Sequence, residues 1–404
     1  MDIKFRTRKN GSGEIEIVAF DFPEGDCKEV LDKIIIPSNI GEDKIDRISD
    51  TIHLSFERMQ RYGVKIIKKI VVENGIKFVD SFSFSSIDIE IDEFYWPSSC
   101  EAIPEFCFEA TNIKSIKGIE NVKHIGNCAF CGTGLKEICW PYPCLKIPRR
   151  CFFCSHLESI TGIEEVTQIE ESAFDTTDFK SFTWPRSCTS IPKNCFFNTP
   201  LKEIEGIENV KHIGSCAFAN TSLIELKWPL KCRRIPRGCF SGSSIKVISN
   251  INNVTNVGCG AFKKSNICRI TWPDKCKIIP EDCFSGALLK EIHGMERVCE
   301  IRRGAFDNTL IKEFVWPANV ISMSCSFLHG CYFLDNIIFA PGEMRDVDVY
   351  SSFLGLNLKT IKSIDLSAVT AVNFVARYTN IDYKKLYERM KGLLRLPYYV
   401  NGLE

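Results

Sequence analysis

Apolar residues recur along this chain with a period of 22 residues. Within residues 96–139, Ile103 and Phe108 are followed 22 positions later by Ile125 and Phe130. Near the end of each period, the spacing apolar-x-x-apolar-x-apolar places alternate side chains on one face, as in a short strand. A period of this length is typical of a solenoid, in which each coil packs only on its neighbours. The pattern therefore predicts a repeat solenoid with a parallel β-sheet along one face.

Successive coils alternate in type, so the full repeat is 44 residues long. Each 44-residue block begins with a Trp-Pro pair, and the six tryptophans of the chain are Trp96, Trp140, Trp184, Trp228, Trp272 and Trp316. In the intervening coils the corresponding inward position holds glycine, as at Gly118. We expect the indoles to lie in the core, over the space that the neighbouring glycines leave. The alternative is an exposed aromatic ladder that stacks on sugars or bases.

Several recurring phrases carry a family resemblance. IPSNI, IPEFCF, HIGNCAF and LKEI resemble the repeats of the BspA-like leucine-rich-repeat family, over about residues 30–340. The resemblance implies a leucine-rich-repeat solenoid, and binding or adhesion rather than catalysis. Such proteins are found in bacteria and parasitic protists, often as surface antigens. This chain departs from the pattern in its alternating Trp-Pro and Cys positions, and no export or anchor segment is visible in it.

The solenoid is predicted to span residues 31–340, between two caps. Residues 1–30 are expected to form a β-hairpin cap, because alternating apolar residues flank a Gly-Ser-Gly turn. Residues 341–404 are expected to form the C-terminal cap, with an amphipathic helix near 382–394. A short helical insertion is expected at 51–66. The predicted fold is thus mainly β, with short 3-10 or helical turns.

The net charge of the chain is zero and does not favour any class of partner. The chain has 51 basic and 51 acidic residues, so no general attraction to nucleic acid or to a membrane surface is expected. Its first residues lack the apolar core of a signal peptide, and no apolar run is long enough to span a membrane. We therefore expect no membrane span.

The 21 cysteines follow the repeat rather than a disulfide pattern. Ten of them stand where the alternate coil has valine or alanine: Cys100, Cys144, Cys188, Cys232 and Cys276 at valine positions, and Cys107, Cys151, Cys195, Cys239 and Cys283 at alanine positions. A free cysteine behaves as a small hydrophobic residue that is readily buried. Together with the odd total, this predicts unpaired thiols and a cytoplasmic location, with a cell-surface location as the alternative.

One group of cysteines has the spacing of a metal site. Cys128-x-x-Cys131 and Cys151-x-x-Cys154 resemble the two halves of a four-cysteine zinc site. Against this, Cys151 is a core position, and Cys128 lies 23 residues before it, one residue off the repeat, so the two side chains should not share a face. A contact between Cys131 and Cys154 across neighbouring coils is the simpler alternative. We predict no metal and no other cofactor.

No catalytic arrangement stands out. His124 and His212 share one position of the repeat, which elsewhere holds Gln168, Asn256 or Glu300, so only polarity is common to it. The chain has no Gly-rich dinucleotide motif, phosphate-binding loop or nucleophile elbow. The sequence predicts a protein that is not an enzyme.

Two sets of charged residues are candidates for binding. The first is an outward ladder along the strands, with mixed lysine and glutamate, whose lysines include Lys136, Lys180, Lys202 and Lys246. Such a ladder is either a solvated face or a protein-recognition surface. The second is a basic stripe after alternate Trp-Pro pairs, formed by Lys146, Arg149, Arg150, Arg186, Lys193, Lys231, Arg233, Arg234 and Arg237. This stripe could meet an acidic protein or a polyanion, or could be a chance cluster.

The predicted function is a non-catalytic protein–protein interaction scaffold built on the solenoid. The alternative is a cell-surface adhesin or antigen of the BspA-like type that binds host or matrix proteins. The sequence specifies neither the identity of the partner nor the oligomeric state.

Overall fold

The computed structural model describes residues 3–11, 13–22, 29–320, 322–323, 327–348, 362–365, 369–375 and 394–395. The chain divides into two compact units, residues 1–207 and 208–404, and each is a stack of short strands. The helix predicted near 382–394 lies outside the described residues.

Short strands dominate the first unit. They span Lys4–Lys9, Ile15–Asp21, Val30–Leu31, Ile34–Ile36, Asn39–Ile40, Asp43–Lys44, Arg47–Ile48, Ile66–Val72, Phe78–Val79, Glu90–Tyr95, Ala102–Ile103, Ile116–Lys117, His124–Ile125, Glu137–Cys139, Lys146–Ile147, Ser159–Thr161, Gln168–Ile169, Ser181–Thr183, Ser190–Ile191 and Glu203–Glu205. An α-helix covers His53–Arg61, and a 3-10 helix covers Asp50–Ile52. Further 3-10 helices cover Ile207–Asn209 and, in the second unit, Ile251–Asn253.

The second unit has the same character. Its strands span His212–Ile213, Glu225–Lys227, Arg234–Ile235, Val247–Ser249, Asn256–Val257, Arg269–Thr271, Ile278–Ile279, Glu291–His293, Glu300–Ile301, Glu313–Trp316, Ser322–Met323, Asn336–Phe339, Gly342–Asp348, Ser363–Asp365, Val369–Val375 and Leu394–Arg395.

Each 22-residue coil contributes a strand that pairs in parallel with the equivalent strand one period away. Ser181–Thr183 pairs with Glu203–Glu205 in this way, and Phe182 faces Ile204 across the pair. In the second unit, Glu225–Lys227 pairs with Val247–Ser249. In Ser181–Thr183 and Glu225–Lys227 the middle residue is buried while its two neighbours are exposed, because alternate side chains of a strand face opposite sides. The predicted parallel β-solenoid is confirmed.

A column of stacked phenylalanines runs through the interior of each unit. In the first unit the ring centroids of Phe130, Phe152 and Phe174 are 5.5 and 5.9 Å apart in turn. In the second unit, those of Phe240 and Phe262 are 5.6 Å apart. These rings are fully buried. Because the coil length is constant, identical rings stack in register, and the apolar core continues from coil to coil.

The tryptophans lie in the core, as predicted, and do not form an exposed ladder. Their exposed fractions are 1–3%. The indole Nε1 of Trp184 donates a hydrogen bond of 2.9 Å to the carbonyl oxygen of Cys188. The same bond recurs at Trp96, Trp140, Trp228 and Trp272. The Trp-Pro-x-x-Cys turn thus satisfies the one polar atom that burial of the indole would otherwise leave unpaired.

The expected reason for the alternating glycines is wrong. A Cβ on Gly206 would meet the backbone carbonyl oxygen of Trp184 at 2.5 Å, not its indole, and Gly206 has φ +77°. The glycine is therefore required by a left-handed turn and by a close approach of two backbones. At the equivalent position 250 the chain has asparagine, also left-handed at φ +64°, and asparagine is one of the few residues that tolerate this conformation.

The cysteines at valine and alanine positions are buried, as predicted from the repeat. Cys107 and Cys195 have no exposed surface, and burial raises their pKa values well above the ordinary value of 9.0. These thiols therefore stay protonated and serve as small apolar residues of the core.

The N-terminal residues form a hairpin that joins the stack. Lys4–Lys9 pairs antiparallel with Ile15–Asp21, and Glu16 and Ile17 of the latter pair in parallel with Arg47 and Ile48. The predicted helical insertion is confirmed at His53–Arg61. Its Phe56 packs edge-on against Phe20, with 5.0 Å between ring centroids. That the hairpin acts as a cap remains a prediction.

Candidate recognition surfaces

The outward ladder of the first unit is exposed but not uniform. Lys136 forms an ion pair with Glu158 at 3.0 Å. Lys180 and Lys202 are exposed and form no ion pair with any described residue. In the second unit the ladder has apolar members: Ile224, just before the strand Glu225–Lys227, is 52% exposed, and Val247, on the paired strand, is 54% exposed. The ladder thus changes its chemistry from coil to coil.

In the first unit, acidic side chains neutralise part of the basic stripe. Glu170 forms an ion pair of 2.8 Å with Lys146, and its Oε2 accepts a hydrogen bond of 3.1 Å from the backbone N–H of Arg149. Glu171 lies 2.9 Å from Lys193 and 3.6 Å from the guanidinium of Arg149. The hydrogen bond from Lys193 holds the pKa of Glu171 below its ordinary range. Most of this cluster is therefore already paired within the chain.

Two further members of the stripe in this unit have other surroundings. The Arg150 guanidinium lies 5.5 Å from the centre of the Phe153 ring, which is a cation–π contact. Arg186 is exposed and has no ion-pair partner among the described residues.

In the second unit, the remaining members of the stripe line a groove of about 1000 Å³ between residues 211 and 259. We call it the basic groove. Its charged and amide-bearing side chains are Lys211, His212, Lys231, Arg233, Arg234, Arg237, Asn253 and Asn256. No acidic side chain is among the described residues that line it. The guanidinium groups of Arg233, Arg234 and Arg237 form no ion pair with any residue that the structure describes. The stripe is thus unpaired here, in contrast to the first unit.

The repeat explains why the two clusters differ. Counting 88 residues onward, Lys146 and Arg149 correspond to Arg234 and Arg237, whereas Glu170 and Glu171 correspond to Gly258 and Cys259. A Cβ on Gly258 would lie only 2.4 Å from the backbone nitrogen of Arg237, so this position has no room for a side chain. The basic positions are kept while the two carboxylates that neutralise them are replaced.

The four cysteines with metal-site spacing are not assembled into a site. Cys151 is fully buried, whereas Cys154 is exposed. Burial raises the pKa of Cys131 to about 12, and the nearby thiols of Cys128 and Cys154 add to this. Within the described residues, no group of three or more His, Cys, Asp or Glu side chains could hold a metal ion.

The structure also contains a buried ladder of hydroxyl groups that the sequence pattern did not predict. Thr133, Ser155 and Thr177 each donate a hydrogen bond of 2.8–2.9 Å to the carbonyl oxygen three residues earlier. These acceptors belong to the core phenylalanines, so the hydroxyls close the tight turn that follows each of them. The signal was the recurring Phe-x-x-Thr/Ser spacing, which an ST-turn explains.

Comparison with known proteins agrees with this geometry. A family model described as "BspA type Leucine rich repeat region (6 copies)" matches residues 77–201, 167–287 and 255–374, which together exceed half of the chain. The chain belongs to the BspA-type leucine-rich-repeat family. No curated protein was found to be significantly similar in sequence to this BspA-type chain.

Solved structures of leucine-rich-repeat proteins share the fold at low sequence identity. A leucine-rich-repeat protein from Bacteroides ovatus is 18% identical, with a TM-score of 0.71 over 94% of this chain and 99% of that chain. A leucine-rich cell surface protein from Faecalibacterium prausnitzii is 15% identical, with a TM-score of 0.51 over 98% of this chain and 97% of that chain. Among the described residues, no helix has the length and apolar character needed to cross a membrane.

Proposed function

We propose that this protein is a non-catalytic scaffold that recognises other proteins through the exposed side chains of its coils. The observation that carries the proposal is the contrast between inward and outward positions of one strand ladder. In the second unit the inward position is apolar in each coil: Leu226, Ile248, Ile270, Ile292 and Phe314. The outward position two residues earlier varies in charge and size: Ile224, Lys246, Cys268, Lys290 and Lys312.

Such a frame suits binding rather than catalysis. The repeated interior fixes the spacing of the coils, and the outward side chains can vary without cost to the core. The exposed side chains of Ile224 and Val247 supply apolar surface beside the charged members of the ladder, which a partner protein could cover.

Capture of partners by the full chain tests the proposal. The immobilised protein is exposed to extract of its native source, bound proteins are identified, and direct binding is measured with each purified candidate. The variant Ile224→Ser/Val247→Ser is expected to bind more weakly, whereas Tyr332→Ser, which removes an exposed aromatic side chain outside the strands, should bind as the parent does. The absence of any direct protein partner would contradict the proposed function.

A cell-surface adhesin or antigen is the second candidate, and it concerns where the scaffold works. It is supported by the description of the Faecalibacterium prausnitzii neighbour as a cell surface protein. The cysteine content does not oppose it, because thiols buried in a core resist oxidation in any compartment. Labelling intact cells of the native source with a membrane-impermeant biotin reagent distinguishes this candidate from the cytoplasmic prediction.

A further inference from the structure

We propose that the basic groove binds an acidic segment of a protein partner, with carboxylates on Arg234 and Arg237 and an apolar side chain on Leu230. The inference rests on the proposed function, since it names the partner chemistry of one surface of the scaffold. Its evidence is the internal comparison between the two basic clusters.

The groove concentrates positive charge that no described residue neutralises. Arg233, Arg234 and Arg237 are exposed and unpaired among the described residues. Lys231 donates a hydrogen bond of 3.0 Å to the Asn209 amide oxygen, which leaves its charge intact. A concave surface lined by one sign of charge attracts a ligand of the opposite sign.

In the first unit, the equivalent basic positions of the repeat bind a carboxylate. There the Glu170 carboxylate joins the Lys146 ammonium and the Arg149 backbone N–H, at 2.8 and 3.1 Å. In the groove the corresponding basic groups are the guanidinium groups of Arg234 and Arg237, and a glycine with no room for a side chain stands in place of the glutamate. These two guanidinium groups therefore lack the internal carboxylate that their counterparts in the first unit have, and they are available to an external one. Arginine also binds carboxylates through two parallel hydrogen bonds, which lysine does not.

The remaining lining favours a polypeptide over a polysaccharide. Leu230 is 60% exposed on the groove, and a sulfated sugar chain has no apolar side chain to cover it. Asn253, Asn256 and His212 can donate and accept hydrogen bonds with a peptide backbone. The combination of unpaired guanidinium groups, amides and an exposed leucine fits an acidic segment with an apolar residue.

Fluorescence anisotropy with a labelled synthetic peptide tests the proposal on the full chain. The peptide is rich in Glu and Asp around a central Leu, and its counterpart has Gln and Asn in place of the acids. The parent protein is expected to bind the acidic peptide, more weakly as salt rises, and not the neutral one. Arg234→Gln/Arg237→Gln should weaken binding about tenfold or more, the loss expected when charge-assisted hydrogen bonds are removed.

The chain supplies a matched control. Lys146→Gln/Arg149→Gln removes the same charges at the same positions of the repeat, where Glu170 and Glu171 already pair with them. This variant should change peptide affinity by less than about twofold, as exposed pairs contribute little. Cys259→Glu places an internal carboxylate where Glu171 stands in the first unit, and should weaken peptide binding by intramolecular competition. Equal urea midpoints show that each variant is folded.

Three outcomes overturn the inference. The first is that the acidic peptide fails to bind the parent protein. The second is that it binds Arg234→Gln/Arg237→Gln as tightly as the parent. The third is that a heparin fragment binds the parent more tightly than the peptide does, and that the double substitution weakens binding of the heparin fragment alone. Leu230→Ser separates the last case, because it should weaken the peptide but not the heparin fragment. None of these results tests the proposed function. That proposal is tested by the capture of partners and by the affinity of the Ile224→Ser/Val247→Ser variant for them.

Discussion

Substitution of Gly206 by alanine gives a sharp test of how adjacent coils are joined. The left-handed conformation costs a non-glycine residue about 1–2 kcal/mol. The added Cβ also meets the Trp184 carbonyl oxygen at 2.5 Å, and forcing an extra methyl group into a packed site costs about 1–3 kcal/mol more. The sum predicts a loss of about 2–5 kcal/mol in the free energy of unfolding.

The control for Gly206→Ala is Asn250→Ala, because Asn250 is the side-chain-bearing residue at the equivalent place, with φ +64°. Position 250 already accommodates a Cβ, so only the left-handed conformation is penalised, by about 1 kcal/mol. Urea unfolding followed by tryptophan fluorescence measures both variants against the parent. If the two variants lose the same small stability, the contact with the Trp184 carbonyl is not the reason for glycine.

Substitutions at three further positions test the core and the turns. Cys195→Ala, which copies Ala173, should lower the free energy of unfolding by about 1 kcal/mol or less. Cys195→Ser should lower it by about 1–3 kcal/mol, because the buried hydroxyl gains no assured hydrogen-bond partner. The urea midpoints of the two variants measure this difference. Burial raises the pKa of Asp175 above 3.8, so the folded state holds this proton more tightly than the unfolded state. The free energy of unfolding therefore falls as pH rises from 3.8 to the folded pKa. Asp175→Asn should remove this loss and raise the melting temperature at neutral pH. Cys154 has φ +56°, and Cys154→Asn, which copies Asn198, should stabilise by up to about 1 kcal/mol, measured by calorimetry; an unchanged or lower melting temperature would contradict this reasoning.

The interior of the molecule follows from the sequence because it repeats. A constant period of 22 residues fixes which side chains stack, and the burial of Trp184, Phe196 and Cys195 follows from their positions in the period. Local backbone strain does not follow in the same way. Asn194 and Asn198 adopt left-handed conformations at φ +54° and +55°. Some of the equivalent positions hold glycine or asparagine, which indicate this conformation, but others hold cysteine, arginine or threonine, which do not.

The surface is less predictable, because its contacts join residues one coil apart whose identities vary. The basic stripe is visible as a run of Lys and Arg after Trp-Pro pairs, but Glu170 and Glu171 lie outside that run. Those two residues follow in the next coil and pair with Lys146 and Arg149 only once the coils stack. The groove in the second unit is therefore distinguished by Gly258 and Cys259, which replace the two glutamates, as well as by Lys231 and Arg233, which stand where the first unit has Pro143 and Leu145.

The cysteine content also carries less information on location than expected. An odd number of thiols suggests a reducing compartment when thiols are reactive. Here desolvation keeps thiols such as Cys239 and Cys283 protonated, with pKa values well above 9.0, and a protonated thiol is a poor nucleophile. Their persistence is therefore a property of the core rather than of the compartment.

Native-state thiol labelling, mapped by mass spectrometry, tests the stacked core most directly. The account predicts that exposed Cys139 and Cys154 are alkylated quickly in the folded protein. The fully buried thiols should be alkylated only in denaturant: Cys107, Cys151, Cys195, Cys239 and Cys283. Labelling of these five in the folded protein at the rate of Cys139 would contradict the continuous interior on which the fold depends.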